Sequence, residues 1–166
     1  YIPAVDAGIR EAAQRGVLAG APVVDFKAEL IDGSYHSVDS SELAFKLAGI
    51  LAFKAAAAQC RPALLEPIDQ LELEVPTAYL GDVMGDLSAR RGQILGTDAG
   101  GAGKTVVRAL VPRAELHLYA THLRGLTHGD CRYRARPAGY EVAPHEVTTR
   151  VVEEAQKAER EAHPQH

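Results

Sequence analysis

The sequence predicts an α+β protein made of two small α/β-sandwich units, and three observations support this. Residues 68–136 follow the order strand, helix, strand, strand, helix, strand, which is typical of a ferredoxin-like βαββαβ fold. Upstream, residues 2–59 give a helix, a strand and a long helix. The 166 residues, 46% of them apolar, suffice for two small domains. We therefore predict units at 1–64 and 65–145 and a charged tail helix at 146–166.

The first unit is predicted to contain two helices and one strand. Residues 2–16 carry apolar side chains at helical spacing, with Pro3 in the first turn and Gly16 at the end. Residues 23–31 alternate apolar and polar side chains with period two, which predicts a half-buried strand. Residues 40–59 return to helical spacing and are rich in alanine. The strand therefore leads into the long helix through a short connection.

That connection, residues 32–42, is a small polar loop with the sequence DGSYHSVDSSE. Asp39, followed three residues later by Glu42, resembles a capping box, so we expect Asp39 to cap the helix. A strand-to-helix corner presents free amides and the positive end of a helix, which suits phosphate. The loop's only histidine, His36, has no acid or metal ligand at useful spacing. It is therefore predicted to contact a phosphate or a base rather than to act as a general base.

The second unit is predicted from alternation in its strands and helical spacing in its helices. Residues 68–75 alternate, and Pro76 closes this first strand. The remaining elements are a helix over 77–90, strands over 92–96 and 105–111 joined by a glycine-rich hairpin, a helix over 112–126 and a strand over 130–136.

Composition narrows the class of protein. A net charge of −4 argues against binding nucleic acid by overall attraction, although local basic patches remain possible. Cys60 and Cys131 have no CxxC partner, which favours a reducing, cytoplasmic setting. No apolar run approaches the ~20 residues that span a bilayer, so no membrane partner is predicted. Because the sequence opens with Tyr1 rather than Met, we expect further sequence upstream.

One motif favours a different class of protein. Gly103-Lys104-Thr105 matches the end of a phosphate-binding P-loop, but the required first glycine is replaced by Asp98. The residues that follow are strand-like, whereas a P-loop leads into a helix. A hairpin with an exposed lysine is favoured, and a nucleotide-dependent enzyme is the alternative. A protein-interaction module without a role in RNA binding is the least specific alternative.

Arginines cluster on adjacent elements of the second unit. Arg90 and Arg91 end its first helix, where they could simply complement the helix dipole. Together with others they could instead form an edge that contacts phosphates. The others are Arg124, Arg132, Arg134 and Arg136.

Several short runs occur in order along most of the chain: YIPAV at 1–5, GIREA at 8–12, GSYH at 33–36, VDSSE at 38–42, LEPI at 65–68, YLGDVMGDL at 79–87 and RRGQI at 90–94. This string resembles the C-terminal third of bacterial translation elongation factor G. The resemblance implies the later part of domain IV, which is an incomplete ribosomal-protein-S5-domain-2-like unit, followed by domain V. It also implies that earlier strands of domain IV lie upstream of Tyr1.

The implied function is that of a ribosome-binding arm of a translational GTPase, which promotes GTP-dependent translocation of tRNA and mRNA in the cytoplasm. The chain itself would then be no enzyme and hold no cofactor, with GTP and magnesium expected in a GTPase domain outside it. The implied partners are the ribosome, through its RNA and proteins, and the tRNA–mRNA complex. A paralogue acting in recycling or rescue is the alternative, because residues 97–105, 116–123 and 131–139 depart from the family pattern.

The resemblance also implies which residues make contacts. His36 matches the histidine of the domain IV tip loop, which contacts the tRNA–mRNA complex. The implied tip-loop residues are Ser34, Tyr35, His36, Ser37, Asp39 and Ser40. The candidates for contact with ribosomal RNA are Arg90, Arg91 and Arg124. No catalytic residue and no metal ligand is predicted.

Overall fold

The computed structural model describes residues 1–163, which fall into two compact units. The first unit is Tyr1–Leu64 together with the chain from Ala143 onward, and the second is Leu65–Val142. The helices are α1 (Ile2–Arg15), α2 (Glu42–Gln59), α3 (Leu80–Ala89), α4 (Tyr119–Leu126) and α5 (His145–Ala162). The strands are β1 (Leu65–Pro76), β2 (Gln93–Ala99), β3 (Lys104–Pro112) and β4 (Arg132–Val142).

This content of helices and one sheet confirms the α+β prediction. The predicted tail helix corresponds to α5, and residues 164–166 of that prediction lie outside the described residues. None of the helices between residues 1 and 163 is both long enough and apolar enough to cross a membrane.

In the first unit, α1 and α2 pack at very short range. Gly8 and Gly49 form the contact, since a Cβ added to Gly8 would lie 2.2 Å from the carbonyl oxygen of Lys46. A Cβ on Gly49 would lie 2.7 Å from the carbonyl oxygen of Val5. Both glycines are therefore required by the close approach of two backbones. Beside this contact, the buried residues are Ala12, Ala13 and Phe53.

Residues 23–31 form no strand, so that prediction is wrong. The Val23 N–H donates to the Ala13 carbonyl at 2.8 Å, and the Phe26 ring lies 5.3 Å from that of Phe53. Beyond these contacts the segment is exposed, with Ile31 88% accessible. A strand exists only where a neighbour completes its hydrogen-bond ladder. In the described part of the chain, no strand lies beside this segment.

The predicted helix cap is also wrong. Helix α2 begins at Glu42, so its N-cap residue is Ser41 rather than Asp39. The Ser41 hydroxyl oxygen accepts a hydrogen bond from the Ala44 N–H at 3.1 Å. Serine caps helices as well as aspartate does, and its position one residue before α2 decides the choice. The Asp39 carboxylate is therefore left in the exposed loop.

The second unit has the ferredoxin-like topology that the element order predicts. Its antiparallel sheet has the strand order β2-β3-β1-β4. Strand β4 runs to Val142, beyond the predicted end at Arg136, and it passes through Pro137. Proline cannot donate to a ladder, but an edge strand needs only one bonded side. The edge position of β4 thus explains why the strand continues past the proline.

The core of the second unit lies between one face of the sheet and the helices α3 and α4. Alternate residues of β1 and β3 supply the sheet side, and the other face of the sheet is polar along β1. The buried core residues are Leu71, Leu73, Val75, Val83, Leu87, Val107, Ala109, Val111, Tyr119 and Leu123.

Tyr119 is the one buried side chain in the described residues whose polar atom lacks a hydrogen-bond partner. Its ring lies edge-on to Tyr133, at 5.6 Å between centroids. An unpaired buried hydroxyl costs about 1–3 kcal/mol of desolvation. We therefore expect Tyr119→Phe to raise the free energy of unfolding by about 1 kcal/mol at neutral pH, measured by urea unfolding.

The same variant has a predictable pH dependence. Burial raises the pKa of Tyr119 above its ordinary value of 10.0. A group whose pKa is higher in the folded state than in the unfolded state contributes its full stability below the unfolded-state pKa. That contribution is lost as the pH rises through the folded-state pKa. The advantage of Tyr119→Phe should therefore grow above pH 10. Tyr140→Phe, at a residue 68% exposed, is the control and should leave the free energy of unfolding unchanged. A Tyr119→Phe variant that is less stable than the wild type would show that the buried hydroxyl is not a cost to the fold.

Candidate nucleic-acid interface

The loop before α2 is an exposed turn closed by hydrogen bonds between its own residues. The His36 N–H donates to the Ser40 hydroxyl at 2.9 Å, and the Ser40 N–H donates to the His36 carbonyl at 2.9 Å. Asp32 accepts from the Gly33 N–H at 2.8 Å where the loop begins. These local bonds fix the loop while the His36 imidazole stays exposed. The loop can therefore offer a side chain to a partner without rearranging its backbone.

An aromatic stack lies next to this loop. The Tyr1 ring lies between Phe45, at 4.6 Å between centroids, and Tyr35, at 5.9 Å. Both pairs are stacked, with interplanar angles of 4° and 23°. Offset stacks of this kind add about 0.5–1.5 kcal/mol each beyond burial. The stack thus connects Tyr35, the residue before His36, to the start of α1 and to α2. No local pattern in the sequence indicates this stack.

The predicted tip-loop residues lie together on this turn. Five of them are exposed, and Ser40 is half-buried because it closes the turn. The six residues are Ser34, Tyr35, His36, Ser37, Asp39 and Ser40. Their contact with tRNA and mRNA stays a prediction.

In the second unit, Arg91 is held by carboxylates of its own chain. It donates two hydrogen bonds to Glu66, at 2.7 and 3.0 Å, and a third to Glu115 at 3.1 Å. The hydrogen bond to Glu66 is the main cause that raises the pKa of Arg91. Glu66 is only 8% exposed, so this bidentate pair is partly removed from water. Sequence reasoning missed Glu66 and Glu115 because pairing across such separations leaves no local pattern.

Arg90 is similarly engaged. Its Nε donates to Asp86 at 3.0 Å, and its Nη1 donates to the Glu115 carbonyl at 2.6 Å. Its guanidinium carbon lies 4.9 Å from the centre of the Tyr119 ring, in a cation–π arrangement. Arg90 and Arg91 thus connect α3 to the segment before α4, and their contact with ribosomal RNA stays a prediction.

Arg124 differs from these two. It lies on α4 with its side chain exposed, and no carboxylate within residues 1–163 lies at ion-pair distance. Of the three predicted RNA contacts, Arg124 therefore has its guanidinium group most readily available.

The lysine of the P-loop-like motif lies in a hairpin. Lys104 begins β3, and Gly103 before it has φ 69°, as a tight turn requires. The Lys104 ammonium lies 2.7 Å from the Asp130 carboxylate. The motif therefore joins two strands, which is not the strand-to-helix context of a phosphate-binding loop.

The described residues contain no cluster of side chains suited to bind a metal ion. Between residues 1 and 163, no three His, Cys, Asp or Glu side chains lie close enough together to hold an ion. The chemistry available at the loop is hydrogen bonding and stacking, and at the arginines it is charge pairing.

The described residues thus form two units, one helical and one with a ferredoxin-like sheet, which together define an α+β protein. Residues 1–61 match the family model described as elongation factor G, domain IV, and residues 63–151 match that of the elongation factor G C-terminus. The chain belongs to the elongation factor G family, which confirms the resemblance seen in its sequence.

One solved structure is similar to this chain over most of its length. It is the crystal structure of ttk003000868 from Thermus thermophilus, which is 47% identical with a TM-score of 0.78. The match covers 95% of this chain and 24% of that one. The chain therefore spans about a quarter of the length of the protein that it matches.

Proposed function

We propose that this chain is the ribosome-binding arm of a translational GTPase, and that the whole protein promotes GTP-dependent translocation of tRNA and mRNA. The observation that supports this most directly is the His36 turn, closed by two hydrogen bonds between His36 and Ser40 with its imidazole exposed. A preorganised loop loses little entropy when it binds, so it can contact a partner at low cost.

In this proposal, the loop acts by contact and not by catalysis. The imidazole of His36 and the nearby hydroxyls can hydrogen-bond to phosphates or base edges. Tyr35, 64% exposed, presents a ring to which a base can stack. GTP and magnesium would be held by a GTPase domain of the whole protein, whose conformational change would move this arm in the cytoplasm.

The second unit would contact ribosomal RNA in this proposal. Arg124 is the favoured contact, because its guanidinium group is exposed and outside the ion pairs of Arg90 and Arg91. A single exposed arginine contributes modestly, so binding would be distributed over several groups and would weaken with salt.

The experiment is His36→Ala in the full-length factor. We expect translocation to slow by about fivefold, since one lost hydrogen bond is worth about 1 kcal/mol. Ribosome-stimulated GTP hydrolysis should change little, because the substituted side chain is only a contact. Both rates are measured by rapid mixing with pre-translocation ribosomes.

His117→Ala is the matched control, because His117 is an exposed histidine of the second unit. It should leave both rates unchanged. Translocation at the normal rate in His36→Ala would refute the assigned role of the loop. Equal losses of translocation and GTP hydrolysis would indicate a general defect instead.

Ribosome recycling or rescue is the second candidate function. Its support is the departure of residues 131–139 from the family pattern, including the arginines of β4. A full-length factor that splits ribosomes with a recycling partner, and does not translocate, would favour this candidate.

A further inference from the structure

We propose that the outward face of β4 is an RNA-binding surface, in which Arg132, Arg134 and Arg136 contact consecutive phosphates of an RNA backbone. We call these three residues the arginine row. The inference rests on the proposed ribosomal function and adds a site to it, separate from Arg90, Arg91 and Arg124.

The register of the sheet places the three arginines on one face. Side chains two residues apart on a strand point the same way, so the row spans about 14 Å at ~3.4 Å per residue. The alternate residue Tyr133 packs against the buried Tyr119, which identifies its side as the core side. Arg132, Arg134 and Arg136 therefore point away from the core.

The row is accessible and its charges are available. All residues of β4 are exposed, and β4 is an edge strand. Among residues 1–163, none of the three arginines lies in an ion pair, in contrast to Arg90 and Arg91. Arg136 donates to the Gln70 side chain at 3.0 Å, a neutral partner that leaves the positive charge uncompensated.

In the described residues, the carboxylates on the same face form no ion pair with the row. Glu74 is opposite Arg132 in the register, but its carboxylate lies toward the β2–β3 hairpin, where a Cβ on Gly100 would be 3.3 Å from Oε2. Glu72 is opposite Arg134 and lies beyond ion-pair distance of it in the described structure. On the next strand, Arg108 is paired with Asp98.

The geometry favours phosphates over the acidic side chains of a protein. Planar guanidinium groups bind phosphate oxygens in pairs, and a nucleic-acid strand repeats that group at regular spacing. Protein interfaces instead centre on an apolar or aromatic core. The three residues of the row supply donors only.

The test compares salt dependences. The 166-residue chain is co-sedimented with bacterial ribosomes, and separately with protein-free ribosomal RNA, at several salt concentrations between about 50 and 200 mM. Replacing all three arginines with glutamine should reduce the slope of log Kobs against log salt by about 2 to 3 on both probes. Replacement with lysine should retain most of the slope, because the charge remains.

The matched control removes three positive charges from exposed residues of the first unit, by Lys54→Gln, Arg150→Gln and Arg160→Gln. It should change the slope by less than about 1. Circular dichroism spectra of all variants should coincide, because every substituted side chain is exposed.

The outcomes separate this proposal from the function on which it rests. Ribosome binding with an unchanged slope in the glutamine variant would overturn the arginine row and leave the ribosomal function standing. If the glutamine variant binds ribosomes more weakly but binds protein-free RNA as before, the row contacts an acidic protein. That result would also overturn the proposal. Row-dependent binding to RNA by a chain that does not bind ribosomes would support the row and overturn the ribosomal function.

Discussion

Arg91→Met is expected to lower the free energy of unfolding of the second unit by about 3 kcal/mol. The substitution leaves the Glu66 carboxylate, 8% exposed, without the two hydrogen bonds that it accepts from Arg91. Removing one partner of a buried ion pair costs about 3–5 kcal/mol, and the partial exposure of the Arg91 side chain, 28%, places this pair at the low end. Urea unfolding followed by circular dichroism measures the loss.

A double-mutant cycle tests whether the ion pair itself is the cause. Glu66→Gln combined with Arg91→Met should be less destabilising than the sum of the two single changes, with a coupling of about 1–3 kcal/mol. Arg10→Met is the matched control, because Arg10 pairs with Asp6 at 2.8 Å with both side chains largely exposed. That control should show no measurable change. If the changes in the free energy of unfolding for the two single variants simply add up in the double variant, the ion pair itself does not stabilise the unit.

The same ion pair shows what sequence patterns could predict about Arg90 and Arg91 and what they could not. They indicated the two arginines, but not the carboxylates that bind them. Two arginines at a helix end suggest either a dipole contact or a phosphate contact, since both depend on position along one element. Whether a carboxylate already holds them depends on pairing between elements. Glu66 lies on β1 and Glu115 precedes α4, so only the folded sheet brings them to Arg91.

The second unit was predictable because its information is local. Alternation along β1 and helical spacing in α3 each report one buried face, and the order of elements then selects the topology. The end of β4 was the exception. Pro137 looks like a strand terminator, and only the edge position of β4 allows the strand to continue.

The first unit shows the opposite case. Residues 23–31 alternate as a strand would, yet they form none, because a ladder needs a partner that alternation cannot supply. The cap at Ser41 is a second feature of this unit that the sequence did not predict correctly. Two acceptable capping residues lie near the start of α2, and the register of the first turn selects between them. In the candidate site, therefore, the loop was predictable and the bonds that shape it were not.

Gly8→Ala is expected to destabilise the first unit by about 2–3 kcal/mol, although alanine is the better helix former. The new methyl group would lie 2.2 Å from the Lys46 carbonyl oxygen and 3.3 Å from the Ile50 nitrogen. These are backbone atoms, which cannot rotate away as a side chain can. The helices α1 and α2 would have to separate, and the buried contacts of Phe53 would loosen.

Gly85→Ala in the middle of α3 is the matched control, since a Cβ there meets no atom within 4 Å. It should stabilise its helix by about 0.5–1 kcal/mol through helix propensity alone. Amide hydrogen exchange reports each unit separately, and Gly8→Ala should accelerate exchange in α1 and α2 while leaving the sheet protected. Increased protection of α1 and α2 would show that the two helices lie farther apart than described.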